Sequence, residues 1–71
     1  MIDLSTNAHV QALRDLRTLN VDHRRRLVRD LATPNQRGNA QDMREVFIAV
    51  QRTIEAIDSA LTDETRGLLN P

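Results

Sequence analysis

A run of apolar residues at alternating steps of four and three is the strongest constraint that this sequence places on its fold. The run comprises Met43, Phe47, Val50, Ile54, Ile57 and Leu61. This spacing places all six side chains along one stripe of an α-helix, as in the seam of a heptad repeat. Val46, Thr53 and Ala60 widen the stripe, which favours a globular bundle over a two-stranded coiled coil. We therefore predict a helix over residues 40–61, with 66 as the alternative end.

The segment before this helix has the composition of a loop. Residues 33–39 contain a Pro, a Gly and two Asn, and they contain no apolar side chain. Pro34 disfavours helical geometry at the preceding residue, so an earlier helix should end there. Asn39 is suited to cap the next helix, and Asp42 places a negative charge in its first turn.

The N-terminal half has a less regular helical pattern. Its strong apolar positions are Leu13, Leu16, Leu27 and Leu31, and they are supported by Val10, Leu19 and Val28. The pattern weakens at Asn20, which can end one helix, and Asp22 can cap a second. The first arm, over residues 6–32, is therefore either one bent helix or two helices, 6–19 and 22–32. We favour the two-helix form.

The chain length bounds the architecture. Seventy-one residues form one domain, 1–71, and a domain of this size buries only about 60% of its unfolded surface. Gly67 is suited to a helix C-cap, so residues 67–71 are expected to form a tail.

The apolar stripe of the second arm is wider than one helix can cover. We therefore predict an all-α fold, a small helical hairpin or three-helix bundle with the first arm kinked or broken near residues 19–22, completed by homodimerisation. The expected self-association or partner interface is Met43, Val46, Phe47, Val50, Ile54, Ile57 and Leu61. Some of Val46, Phe47, Ile48 and Ile54 should be exposed in a monomer.

Composition excludes several classes of protein. There is no Cys, so there is no disulfide framework and no thiolate metal site. The first four residues do not resemble a secretory signal, and the longest apolar run, residues 46–50, is far shorter than the roughly 20 residues needed to cross a bilayer. We expect a cytoplasmic protein. All ten basic residues are Arg, a usage typical of G+C-rich genomes, so a bacterial or phage origin is expected.

A zero net charge hides a basic middle segment. Residues 23–37 carry five Arg against one Asp. Four of these arginines, Arg24, Arg25, Arg26 and Arg29, are candidates for contacts with phosphate or with an acidic protein surface. The alternative is that they form a solvated helix face, partly neutralised by nearby Asp residues.

Catalytic and metal-binding patterns are absent from the sequence. His9 and His23 have no second ligand at helical spacing, and the two serines lack a nucleophile context. Two glycines cannot form a Gly-rich phosphate loop. We predict no catalytic residue, no metal, no cofactor and no small-molecule substrate.

These observations favour a small, non-enzymatic helical module for protein–protein interaction. It would self-associate, with a dimer favoured, and engage a protein partner in a regulatory, adaptor or phage-accessory role. The alternative is a nucleic-acid-binding regulator that contacts phosphates through the arginines of residues 24–29. No membrane partner is expected.

Overall fold

The computed structural model describes residues 4–33 and 40–69, with side chains described for residues 7–33 and 40–66. Two helices, α1 (Leu4–Ala32) and α2 (Ala40–Leu69), pack against each other. Residues 17, 24 and 9 of α1 contact residues 58, 51 and 64 of α2, so the helices run antiparallel. The all-α prediction is confirmed. Of the two predicted architectures, the described residues form the helical hairpin and not the three-helix bundle.

The first arm is one helix, so the favoured two-helix form, with a break near residues 19–22, is wrong, and the alternative of a single helix holds. Asn20 does not end a helix: its side-chain Nδ2 donates a 2.9 Å hydrogen bond to the carbonyl oxygen of Leu16, one turn earlier. Val21 packs against the buried core, which stabilises the helix through the region where the pattern weakens. The helix ends at Ala32, as expected for a residue near Pro34, although Pro34 itself lies outside the described residues.

The second helix begins at Ala40 and has Asp42 in its first turn, as predicted. It continues to Leu69, so Gly67 lies inside the helix rather than at its end. The part of α2 beyond residue 61 also contacts α1, because Oε1 of Glu64 lies 3.6 Å from Nε2 of His9. The proposed cap at Asn39 and the rest of the loop after Thr33 lie outside the described residues.

The core lies along the line of contact between the two helices. The buried apolar side chains of the described residues are Val10, Leu27, Val50, Ile54 and Ile57. Leu27, Val50 and Ile54 form one cluster, and partly buried hydrophobic residues pack around it. Each such side chain contributes roughly 1.5–3 kcal/mol when it is fully buried.

The contacting stripe of α1 follows the same heptad spacing as that of α2. Its members at steps of three and four are Val10, Leu13, Arg17, Asn20, Arg24, Leu27 and Leu31. The stripe is therefore apolar at both ends and polar in the middle. Because of this polar middle, the apolar pattern of the first arm weakens there although the helix continues.

The molecule is long and only one layer thick. Its Cα atoms extend over 56 × 15 × 13 Å, and their radius of gyration is 16.2 Å. A compact domain of this length has a radius of gyration of about 11 Å. A pair of helices has no second layer, so each helix can cover only one stripe of the other.

We expect Ile54→Ala to destabilise the fold by about 2–5 kcal/mol, because Ile54 is only 2% exposed and truncation leaves a cavity. Ile48→Ala is the matched control: it removes the same atoms from the same helix at a position that is 49% exposed, and should cost less than about 0.5 kcal/mol. Urea unfolding followed by circular dichroism measures both. Equal effects of the two substitutions would contradict the assigned core.

Candidate interaction surface

An ion pair joins the two helices at the polar middle of the seam. Arg17 donates from Nε to Oδ1 of Asp58 at 2.6 Å and from Nη2 to Oδ2 at 3.3 Å. The hydrogen bond from Arg17 lowers the pKa of the Asp58 carboxyl; partial desolvation opposes this, and the charges of Arg17 and Arg24 reinforce it. The same hydrogen bond raises the pKa of Arg17. The forked geometry matches a guanidinium to a carboxylate and aligns the two helices.

Arg24 makes a second polar contact across the seam. Its Nη1 donates to Oε1 of Gln51 at 2.7 Å, and Gln51 in turn donates to Glu55 at 3.3 Å. Arg24 is half-buried as a result. Sequence reasoning grouped it with exposed arginines because a one-dimensional pattern does not show which side of the helix meets α2.

The remaining arginines of the predicted cluster point away from the seam. Arg25, Arg26 and Arg29 are exposed, and Arg25 lies 3.9 Å from Asp22. Successive residues of a helix are about 100° apart, so Arg24, Arg25 and Arg26 face three directions. The structure therefore does not gather the four predicted phosphate contacts onto one surface.

The hairpin has two broad sides, which can be assigned from the antiparallel pairing. Val10 and Leu13 are a and d positions of α1, and Phe47 and Val50 are a and d positions of α2. In an antiparallel pair the e positions of both helices then lie on one side and the g positions on the other. The first, here called the arginine side, contains the contacts of Arg17 and Arg24 to α2. It also presents the exposed residues Arg14, Arg25, Val28, Arg44 and Glu55.

The opposite side, here called the leucine side, is largely apolar at its centre. Leu16 and Leu19, which are 44% and 66% exposed, lie near this centre. Val46, which is 41% exposed, lies on the same side about 15 Å further along the hairpin, level with residue 29 of α1. Smaller side chains lie between them: Ala12, Ala49, Thr53 and Ala60. The contact of His9 with Glu64 borders this side at one end.

The structure divides the predicted interface residues of α2 among three environments. Val50, Ile54 and Ile57 are buried against α1, whereas Met43, Phe47 and Leu61 are half-buried and Val46 is exposed. The stripe is therefore covered mainly by the chain's own first helix. Ile54, expected among the candidates for exposure, is instead the most buried of them.

The sequence predicted only some of the exposed apolar residues. Ile48 and Val46 are exposed, as expected, but Leu16 and Leu19 were grouped with the apolar stripe of the first arm. Their positions next to the seam distinguish them from Leu13, which is half-buried. The signal that could have identified them is the seven-residue spacing from Val10 to Arg17 to Arg24, which defines the seam through polar residues.

No group of three or more His, Asp or Glu residues that could hold a metal ion occurs within the described parts of the chain. Neither described helix has a stretch long and apolar enough to span a membrane. Comparison with protein-family models, curated proteins and solved structures found no match to this chain.

We expect Asp58→Asn to lower the urea midpoint slightly at pH 7, because the carboxylate accepts both hydrogen bonds from Arg17. The folded state depresses the pKa of Asp58. The contribution of Asp58 is therefore present above the unfolded pKa, near 4, and is lost as the pH falls below it. The difference between the two proteins should narrow between about pH 4 and pH 2.

Asp63→Asn is the control for this experiment. It removes an equal charge from an exposed position of the same helix. If it reproduces both the size and the pH dependence of the Asp58 effect, the ion pair with Arg17 does not contribute specifically to stability.

Proposed function

We propose that this chain is a small, non-enzymatic helical module for protein–protein interaction that self-associates through its leucine side. The exposure of Leu16, Leu19 and Val46 on one side of a single-layer hairpin is the observation that carries this proposal. Apolar side chains grouped on one surface and bordered by polar residues are typical of an interaction site. The module would act in the cytoplasm in a regulatory or adaptor role, or as a phage accessory protein.

The exposed area of the chain supports a second copy as the occupant of this side. The accessible surface is 5666 Å², whereas a compact monomer of 8.1 kDa exposes roughly 4,500 Å². The excess, about 1,200 Å², is distributed over the whole elongated chain, and an interface of standard size would bury roughly 800 Å² on each copy. Two hairpins packed side to side would form a four-helix bundle and give each chain the second layer that it lacks.

Charge favours the leucine side over the arginine side for contact between identical chains. A twofold contact brings the same surface of each copy together. On the arginine side this would bring a surface that carries Arg14, Arg25, Arg44 and Glu55 against itself, and the removal of these charges from water opposes association. The leucine side has apolar residues at its centre, where the contact would be closest.

Val28 and Ile48 are also exposed, but they lie among charged residues away from the leucine side. They lie at about the same level of the arginine side and are bordered by charged side chains, whereas Leu16 and Leu19 lie among Ala and Thr side chains. Val28 and Ile48 therefore provide control positions for substitution.

We expect the wild-type chain to have twice its 8.1 kDa mass in sedimentation equilibrium. Leu19→Glu should weaken the dimer at least about tenfold, because it introduces a charge into the apolar contact. Val28→Glu, which introduces the same charge on the arginine side, should leave the dimer intact. Circular dichroism of both variants reports whether the helices still form.

The thermal midpoint provides a second measurement if dissociation also unfolds the chain. The midpoint of a dimer rises with protein concentration, whereas that of a monomer does not. A wild-type chain that is monomeric at all concentrations, or a Val28→Glu variant that dissociates as readily as Leu19→Glu, would overturn the proposal.

A further inference from the structure

The two exposed apolar residues of the arginine side, Val28 and Ile48, lie next to each other along the hairpin. By the pairing of Arg24 with Gln51, Val28 of α1 lies level with Phe47 of α2. Val28 and Ile48 are each 49% exposed. Because packed helices lie about 8–10 Å apart, these two side chains border the groove between α1 and α2 from opposite sides.

Two half-buried residues, Leu31 and Phe47, extend this pair into a larger apolar surface. Both occupy a positions of the seam, which lie about 40° around the helix from the e positions of the arginine side. Phe47 is the only aromatic residue of the chain, and it packs against the buried core while part of it remains exposed. We call these four residues, Val28, Leu31, Phe47 and Ile48, the groove patch. Apolar and aromatic side chains of this kind form the centres of protein interfaces.

Positive charge borders the groove patch at both ends. Arg44 lies level with residue 31 of α1, about 5 Å from the level of Val28 toward the loop. Arg24 and Arg25 lie about 5 Å from Val28 in the other direction. Within one helical turn of the patch, the described part of the arginine side carries these three arginines and no carboxylate.

The carboxylates of the neighbouring turns do not face the groove. Asp30 lies on the leucine side, and Asp22 and Glu45 lie on the backs of the two helices, opposite the seam. Asp22 comes within 3.9 Å of Arg25, but both side chains are exposed and such ion pairs are weak. The groove patch is therefore an apolar centre bordered by positive charge, which is complementary to an acidic surface and not to a copy of itself.

We propose that the groove patch binds an amphipathic helix of a partner protein, one that carries acidic residues on both sides of an apolar stripe. This inference rests on the proposed interaction role but not on self-association, because the arginine side faces outward in the proposed dimer. A helix laid along the groove would contact α1 and α2 together. Carboxylates one turn before and one turn after its apolar anchor would meet Arg44 at one end and Arg24 and Arg25 at the other.

The apolar centre favours a protein over a nucleic acid as the occupant of this surface. Phosphates would contact the three arginines but would leave the apolar side chains between them without a partner. An acidic amphipathic helix satisfies both parts of the surface, since protein interfaces combine an apolar centre with a polar rim.

The test measures the fluorescence anisotropy of a labelled synthetic peptide of about 14 residues, or four helical turns. Leu forms its apolar stripe, Glu flanks each Leu, and a hydrocarbon staple on the opposite face keeps it helical without the protein. Two matched peptides carry Gln in place of Glu, or Ala in place of Leu. We expect the Leu–Glu peptide to bind with a micromolar Kd at physiological salt, and each matched peptide to bind at least about tenfold more weakly.

Two substitutions locate the binding site. Val28→Glu should weaken binding of the Leu–Glu peptide at least about tenfold, because it places a like charge against the peptide. Ser59→Glu adds the same charge at an exposed position on the back of α2 and should change the Kd less than about twofold. Arg44→Gln, which leaves the groove patch intact, should weaken binding of the Leu–Glu peptide but not of its Gln counterpart. Circular dichroism of each variant reports whether the helices still form.

The outcomes separate this inference from the proposed self-association. Binding that is lost in Val28→Glu and kept in Ser59→Glu supports the docking site, and it does so even for a wild-type chain that sediments as a monomer. A dimeric chain that does not bind the Leu–Glu peptide at up to about 1 mM, or whose variants all bind it equally, overturns the docking site while self-association stands. Binding of duplex DNA that Arg44→Gln weakens, without binding of the peptide, overturns it in favour of a nucleic acid.

Discussion

The structure depends on the limited area that two helices can offer each other. A helix that packs against one neighbour buries one stripe, and the rest of its surface remains exposed. In this chain Val50, Ile54 and Ile57 of the α2 stripe are buried against α1, and Met43, Phe47 and Leu61 are half-buried. The apolar residues Leu16, Leu19 and Val46 beside the seam stay 41–66% exposed. The candidate interaction surface is therefore a direct consequence of a fold that has only one layer.

The polar middle of the α1 seam has a separate role in the pairing of the helices. Heptad seams built only from apolar residues can slip by one repeat at low cost, whereas a polar residue at a seam position specifies the register. Here Arg17 meets Asp58 and Arg24 meets Gln51. A slip of one heptad would place Arg17 beside Gln51 or Thr65 instead. The polar seam positions thus bury less apolar surface but specify one alignment of α1 with α2. This alignment determines which residues lie on each side of the hairpin.

The division of the surface into two sides connects the fold to the proposed function. The arginine side contains the contacts of Arg17 and Arg24, whereas the leucine side presents Leu16 and Leu19. One surface is suited to contact with an identical copy, and the other is left facing outward in such a dimer. A helical pair that is marginal alone would then gain its stability together with its interaction partner, since association and folding are coupled in small dimers.

Much of the fold is determined by local features of the sequence. The heptad spacing of α2, the acidic first turn at Asp42 and the loop composition around Pro34 predicted the second helix and the division into two arms, because spacing and local chemistry act over a few residues. The continuity of α1 through Asn20 and the inward contact of Arg24 were decided by tertiary structure. Both depend on residues far along the chain: Val21 packs against the core, and Arg24 donates a hydrogen bond to Gln51. The exposure of Leu19 beside a half-buried Leu13 has the same origin, since only the packed pair of helices determines which apolar residues are covered.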